Sequence, residues 1–402
     1  MENPIGDLWT IFLYMKLSKC FMAAPKTTYV ISVSKVKDIA SLLNDKNVVV
    51  VTHLKDIDGI SSAAIAMNVF GEMLSSVVFS DFEVDAIKEA NGILNKLNPE
   101  NSVVIFADLN FNDNAIELYE EAFKMLKANR NIIIWLDHHT IASKNVKELI
   151  EKYADYIIAG ENKNYCGAEL VAEHIAKPLG KYGDKVAKLA KMAHASDFAL
   201  HDKDDEKRKK LSYAIASCYL YAKDFREVQA GLLKIAKAVA KDPNNYDNDE
   251  FIKERATSYE EKQRPLKEEL GKNVHVINLN GHTIVIGFNF SGSLQTNDGC
   301  NHLFSLAAAS GKKADMALYI KVDRGTGHIR VVDDSNINSV PLAQIFGGNG
   351  HPKASAFTIP EDLLNELRNP NMRKEAEQSS IKRIEEKWKP LLAKKDKTVV
   401  NS

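Results

Sequence analysis

The residues best suited to chemistry stand where apolar runs stop. Four valines, 48–51, lead through Thr52 to His53, Asp56 and Asp58. A second apolar run, 103–107, stops at Asp108, and a third, 132–136, stops at Asp137-His138-His139. Asp197 closes a later amphipathic stretch, 185–195. A single aspartate after an apolar run is ordinarily a helix N-cap or a turn residue, because its carboxylate accepts backbone N–H groups. Several such carboxylates on one sheet edge, with few imidazoles among them, suit two closely spaced divalent ions. Mn²⁺ is the preferred expectation and Mg²⁺ the alternative. Ions in that arrangement bridge an activated water and a phosphoryl oxygen in an in-line displacement. His194, near Asp197, reads as a helix-end cap; Trp135, inside an apolar run, reads as core.

Positioning these groups falls to the elements that precede them. The runs 48–51, 103–107 and 132–136 are continuously apolar, the pattern of strands buried on both faces. Helical spacing appears at 36–43, 84–97 and 112–128, with shorter apolar runs at 76–79 and 156–159. Repeated strand–helix units predict an α/β fold with a parallel, doubly wound sheet, whose ligands bind outside the carboxyl ends of the strands. After Gly180 the pattern is helical over 185–195 and 209–240, then polar and turn-rich over 241–250. From 274 the character changes. Segments 274–279 and 283–288 flank Asn280-Gly281, and 314–322 and 328–332 flank a second glycine-containing turn, two hairpin signals. This predicts a smaller α+β domain with a mixed sheet, joined by a helical linker.

The expected layout is a disordered extension over 1–27, a catalytic domain over 28–200 and a helical region and linker over 201–270. A substrate-binding domain over 271–360 and a charged helical tail over 361–402 follow. Nine basic and five acidic residues between Arg373 and Lys397 make that tail read as a solvated helix. The whole chain, 402 residues with 53 basic and 54 acidic side chains, declares no polyanionic partner by net charge. A local basic groove remains compatible with it. Cys20, Cys166, Cys218 and Cys300 form no Cys-x-x-Cys pair, which excludes a zinc knuckle and a disulfide framework and suits a reducing cytoplasm. The apolar stretch 8–15 is too short to cross a bilayer and lacks the preceding basic residues of a secretory signal.

Asp137-His138-His139 resembles the signature that names the DHH phosphoesterase superfamily. His53, Asp56 and Asp58 with Gly59 and Ser61, then Asp108 and Asp197, fall in that family's order. The segment Gly347-Gly348-Asn349-Gly350-His351, followed by Ala354 and Ser355, resembles the mark of the DHH-associated domain. The resemblance spans about 48–359, and is most similar to the archaeal RecJ-like exonucleases and the nanoRNases. It implies that His53, Asp56 and Asp108 hold one metal ion, and that Asp58, Asp108, His138 and Asp197 hold the other. His139 would stand at the scissile phosphate as hydrogen-bond donor or general acid, with Asp137 orienting a histidine. Gly347, Gly348 and Gly350 would bring backbone amides to a phosphate, with Arg330, His351 and Asn301 binding the same substrate. Two departures stand out: His53 is three residues before Asp56 where some members have four, and Asn349 interrupts the glycines.

The activity implied is a metal-dependent exonuclease on single-stranded DNA or RNA or short oligonucleotides, releasing nucleoside 5′-monophosphates. The alternatives are a small-molecule phosphatase or phosphodiesterase, acting on phosphoadenosine phosphate or a cyclic dinucleotide, and a non-catalytic replication or repair scaffold. Expected partners are single-stranded nucleic acid, proteins of replication, repair or RNA decay, and a second copy in a homodimer, with no membrane.

Overall fold

The computed structural model describes residues 31–34, 39–43, 46–139, 141, 143–160, 165–198, 200 and 202–393. The extension expected over 1–27 lies outside them. The chain divides into two compact units that meet between Tyr259 and Glu260.

The first unit is built on strands β1 (Ile31–Ser34), β2 (Val48–His53), β3 (Leu74–Ser80), β4 (Val103–Ala107), β5 (Ile132–Leu136) and β6 (Tyr156–Ala159). They form one sheet in the order β1-β6-β5-β4-β2-β3. Five strands are parallel, and β1 pairs antiparallel with β6 at the edge, which an all-parallel reading did not contain. Helices α1 (Ile39–Leu43), α2 (Ile57–Phe70), α3 (Val84–Leu97), α4 (Ile116–Ala128), α5 (Lys144–Tyr153), α6 (Gly167–Val171), α7 (Asp184–Asp197), α8 (Asp205–Leu220) and α9 (Phe225–Lys241) cover it. Successive strand residues point to opposite faces, so a continuously apolar strand feeds two cores. Val48, Val50, Ile105 and Leu136 pack with α2, α6, α7 and α9. Val49, Val51, Val104 and Trp135 pack with α3, α4 and α5 on the other face.

The helix expected over 209–240 is two helices. Asp224 accepts the Glu227 N–H (2.9 Å) and Glu227 accepts the Lys223 N–H (2.9 Å), so the chain caps and restarts at that point. A long helix, α10 (Glu250–Lys272), carries the boundary between the units.

The second unit has strands β7 (Val274–Leu279), β8 (His282–Asn289), β9 (Met316–Lys321), β10 (Thr326–Val331), β11 (Asn349–His351) and β12 (Ala354–Thr358), in the order β11-β12-β10-β9-β8-β7. Only β8 and β9 run parallel; the other pairs are antiparallel, a mixed sheet as expected. The Asn280-Gly281 turn has both residues at positive φ, 54° and 90°, as a two-residue hairpin requires. Helix α11 (Thr296–Ala309) covers one face through Cys300 and Leu303. Helices α12 (Ser339–Gln344), α13 (Glu361–Arg368) and α14 (Arg373–Trp388) cover the other. Over its described residues, 361–393, the charged tail is therefore not a solvated helix. Trp388 is fully buried, its Nε1–H donates to the Leu342 carbonyl (3.1 Å), and Ala376, Ser380 and Ile384 line the same stripe. Three- and four-residue spacing puts these side chains on one helix face, which the high charge of the segment conceals. Among the described residues, no helix is long and apolar enough to cross a membrane.

Candidate metal centre

The chain leaves β2, crosses to β3 on one side, and returns through β4 to the other side of β2. The strand order reverses between β2 and β4, and a crevice at their carboxyl ends is where open α/β sheets bind ligands. His53 ends β2, Asp108 follows β4, and His138 and His139 follow β5.

Asp56 is the N-cap of α2: its Oδ1 accepts the Gly59 N–H (2.9 Å) while its Oδ2 stands 2.6 Å from His53 Nδ1. The capping explanation is thus true of Asp56, yet it uses only one of the two oxygens. Asp58, buried in the first turn of α2, receives two backbone donors from far along the chain. Gly167 N–H donates to Oδ2 (2.6 Å) and Ala168 N–H to Oδ1 (2.7 Å), both from the start of α6. Asp108 adopts a left-handed backbone, φ 55°, sparsely populated by residues other than glycine. Its N–H donates to the Leu136 carbonyl (3.0 Å), which fixes the strained residue to the adjoining strand.

Three clusters of ligand-type atoms result, each within 4.8 Å internally: His53, Asp56 and Asp108; Asp58, His138 and Asp197; and Asp108, His138 and His139. Asp108 belongs to two of them, with Oδ1 3.4 Å from His138 Nε2 and Oδ2 4.0 Å from His53 Nδ1. Asp197, at the end of α7, approaches His138 Nδ1 at 3.8 Å. Buried Asp108 Oδ2 and His138 Nε2 have no hydrogen-bond partner. Buried polar atoms are seldom left unpaired, and each costs about 1–3 kcal/mol when it is. Carboxylate and imidazole donors grouped in this way, two of their buried atoms unpartnered, fit divalent Mn²⁺ or Mg²⁺.

The electrostatics agree with that fit. Burial, then repulsion from Asp56 and Asp197, pushes Asp58 up to about 6 against the opposing pull of His138 and the Ala168 amide. Burial, then the charges of Asp58 and Asp56, holds Asp108 well above the usual carboxylate range. Asp197 is raised as well, first by burial. Burial alone would lower His53, but Asp56 and Asp81 outweigh it and carry the imidazole up to about 10. His139 behaves alike: against burial, Asp137 at 2.7 Å from Nδ1 raises it to about 9. Protons take the place of positive charge that the carboxylates lack.

Two contributors are not among those expected from the sequence. Asp81, 1% exposed after β3, stands 3.3 Å from His53 Nε2 and is ion-paired with Lys55. A carboxylate behind an imidazole fixes its tautomer and orientation. The signal was present, since Asp81 follows a strand as Asp108 does. Gly167 is the second: a Cβ there would meet Asp108 Cβ at 2.4 Å, so only glycine lets α6 present its N–H groups to Asp58. Nothing local to 166–168 announces that role.

The residues expected to bind substrate lie in the second unit. Ala354 is the register partner of both Arg330 on β10 and His351 on β11, so Arg330 and His351 share one face of the sheet, two strands apart. Arg330 Nε donates to Asn297 Oδ1 (3.1 Å); Asn301, one helical turn further on, is exposed. The glycines differ from expectation. Gly347, at φ 73°, donates to the Gln344 carbonyl (3.0 Å) and Gly348 to the Ala343 carbonyl (3.0 Å). That is a Schellman closure of the helix, so these two amides are spent on its C-terminus and do not face a phosphate. Gly350 is needed for fit, because a Cβ there would lie 2.5 Å from the Ala354 carbonyl oxygen.

Residues 47–196 match the family model described as the DHH family, N-terminal domain. No curated protein matches the chain. Among solved structures, a pGpG-specific phosphodiesterase, PggH, from Vibrio cholerae is similar at 14% identity, covering 85% of this chain and 100% of that one, with a TM-score of 0.47. An exopolyphosphatase-related protein from Bacteroides fragilis is similar at 17% identity, covering 86% and 93%, with a TM-score of 0.47. An exonuclease RecJ bound to manganese is similar at 15% identity, covering 85% and 93%, with a TM-score of 0.44. The matched segment, 47–196, holds Asp137-His138-His139 together with His53, Asp56, Asp58 and Asp108, so it is this part of the chain that is similar to the DHH family's N-terminal domain.

Proposed function

We propose that this protein is a divalent-metal-dependent phosphodiesterase, and specifically an exonuclease that releases nucleoside 5′-monophosphates from single-stranded nucleic acid or short oligonucleotides. The observation that carries the reading is the overlap at Asp108, whose two oxygens face different groups of ligand-type atoms. In this reading His53, Asp56 and Asp108 hold one ion, while Asp58, Asp108, His138 and Asp197 hold a second, Mn²⁺ in preference to Mg²⁺. Bound ions would supply charge neutralisation at a phosphoryl oxygen and a water acidic enough to ionise near neutral pH. The remaining tasks belong to the chain. His139, kept protonated by Asp137, would donate a hydrogen bond or a proton to the phosphoryl group or leaving oxygen. Arg330 and His351, on one face of their sheet, would hold a phosphate, with Arg330 offering a planar fork.

The test is purified protein with Mn²⁺ and end-labelled DNA and RNA strands of graded length, beside phosphoadenosine phosphate and pyrophosphate. A ladder shortening from one end, lost in Asp108→Ala, is the expected result. Turnover of the mononucleotide alone would replace the exonuclease with the small-molecule phosphatase. Strand shortening that survives Asp108→Ala would remove Asp108 from the centre.

A further inference from the structure

Phe82 is an exposed aromatic held at the rim of the metal centre. It is 45% exposed, yet its main chain is clamped on both sides. Its N–H donates to Asp81 Oδ1 (2.8 Å), and its carbonyl accepts from Asn112 Nδ2 (2.8 Å). Asp81 Oδ1 is also the oxygen 3.3 Å from His53 Nε2. Two contacts therefore join the backbone of Phe82 to a candidate metal ligand. Lys55 completes the arrangement, with Nζ 5.4 Å from the ring centroid and ion pairs to Asp81 and to Glu83 (3.0 Å).

Single exposed apolar side chains are ordinary and ask for no explanation. Tyr182 and Leu97 are comparably exposed. Phe82 differs because exposure coincides with a main chain held on both sides and bonded to the carboxylate that faces His53. A ring on a mobile loop would lose backbone as well as side-chain freedom on stacking against a ligand, whereas the held main chain of Phe82 removes the first of these costs. Every nucleobase offers a π face, and stacking on an aromatic side chain is worth roughly five- to a hundredfold in affinity per base. Phosphate or polyphosphate has no such face, so an aromatic platform is useful only to a substrate that carries bases.

We propose that Phe82, with Lys55 over one face of its ring, offers the opposite face as a stacking platform for a nucleobase of the substrate, flanking the phosphodiester to be cut. This rests on the phosphodiesterase reading and adds to it the side chain that would hold a base of the substrate.

The test uses the full chain with Mn²⁺ and two single strands of equal length, one normal and one abasic. With phosphorothioate strands, which resist cleavage, Phe82→Trp should show fluorescence quenching by the base-bearing strand, above that of the parent, and none by the abasic strand. In turnover, Phe82→Ala should raise KM for the base-bearing strand about tenfold with kcat little changed. Phe82→Trp should restore it, and the abasic strand should be indifferent to both changes. Tyr182→Ala should alter neither. Unchanged KM together with absent quenching overturns the platform while leaving the phosphodiesterase intact. Equal loss on both strands assigns Phe82 a structural role and overturns it too. A parent protein that cleaves no phosphodiester sinks the phosphodiesterase reading instead, and the base-specific quenching of Phe82→Trp still decides the platform.

Discussion

Replacing Gly167 by alanine asks whether the start of α6 governs the metal centre. The new methyl carbon would lie 2.4 Å from Asp108 Cβ and 3.0 Å from both its Cα and its carboxyl carbon. Asp108 has no easy retreat, since it is already at φ 55° and its N–H is bound to Leu136. The helix must move instead, and its movement pulls the Gly167 and Ala168 N–H groups away from Asp58, where they now stand at 2.6 and 2.7 Å. Overpacking a filled interior costs about 1–3 kcal/mol. A hydrogen bond to a charged group contributes about 1.5–3 kcal/mol. Loss of one of the two bonds with the strain gives about 3–5 kcal/mol. In a unit of this size each kcal/mol moves Tm by about 2–4 °C, so the metal-free melting transition of the first unit should fall by about 10 °C. Mn²⁺ affinity should fall as well, by about 10–100-fold, because Asp58 loses the groups that aim it. Differential scanning calorimetry in EDTA reads the first quantity, and electron paramagnetic resonance of free Mn²⁺ reads the second. Gly167→Ala that melts within about 2 °C of the parent and binds Mn²⁺ equally well would refute the argument.

Three further expectations follow from the same geometry. Asp81→Asn keeps the size of the side chain but removes the charge that faces His53 and Lys55; Mn²⁺ affinity should drop about 10–100-fold, and a change under threefold would show that His53 needs no backing. Asp58 has a folded-state pKa raised to about 6, so the folded form keeps its proton after the unfolded chain has lost it. The stability of the metal-free protein should therefore decline as pH rises from about 4 to about 6, where Asp108 and Asp197, also raised, act in the same direction. Urea midpoints in EDTA across that range should show the decline and saturating Mn²⁺ should remove it; a metal-insensitive profile would sink the reasoning. Trp388→Ala should cost the second unit about 3–5 kcal/mol by emptying a filled site, read as a lower urea midpoint, whereas a solvated helix predicts no change.

How much of this was legible in the sequence depends on the distance over which each feature is decided. The strands at 48–53, 103–107 and 132–136 were readable because burial on both faces demands an unbroken apolar run, and that demand is local. The hairpin at Asn280-Gly281 was readable for the same reason, since positive φ at two successive residues selects the residue types. The antiparallel edge strand at 31–34 was not, because its direction is set by pairing with 156–159. The glycines at 347 and 348 misled through a correct local inference: positive φ and tight packing do require glycine there, but the amides close a helix.

The sharpest contrast is between Asp81 and Asp108, two aspartates that follow parallel strands and look alike in the sequence. Both are 1% exposed. Asp81 meets the ammonium of Lys55, so its charge is answered within the chain. Asp108 is twisted into the left-handed region, and its ion-pair neighbours are the imidazoles of His53 and His138 rather than a lysine. Burying a carboxylate among other carboxylates is costly, and Asp108 answers that cost by holding its proton rather than by an ion pair with a lysine. Local sequence can nominate a carboxylate as a ligand. Whether a lysine or a metal ion answers it is decided by what the fold places opposite, and at Asp108 the groups opposite are the imidazoles of His53, His138 and His139 and the carboxylate of Asp56.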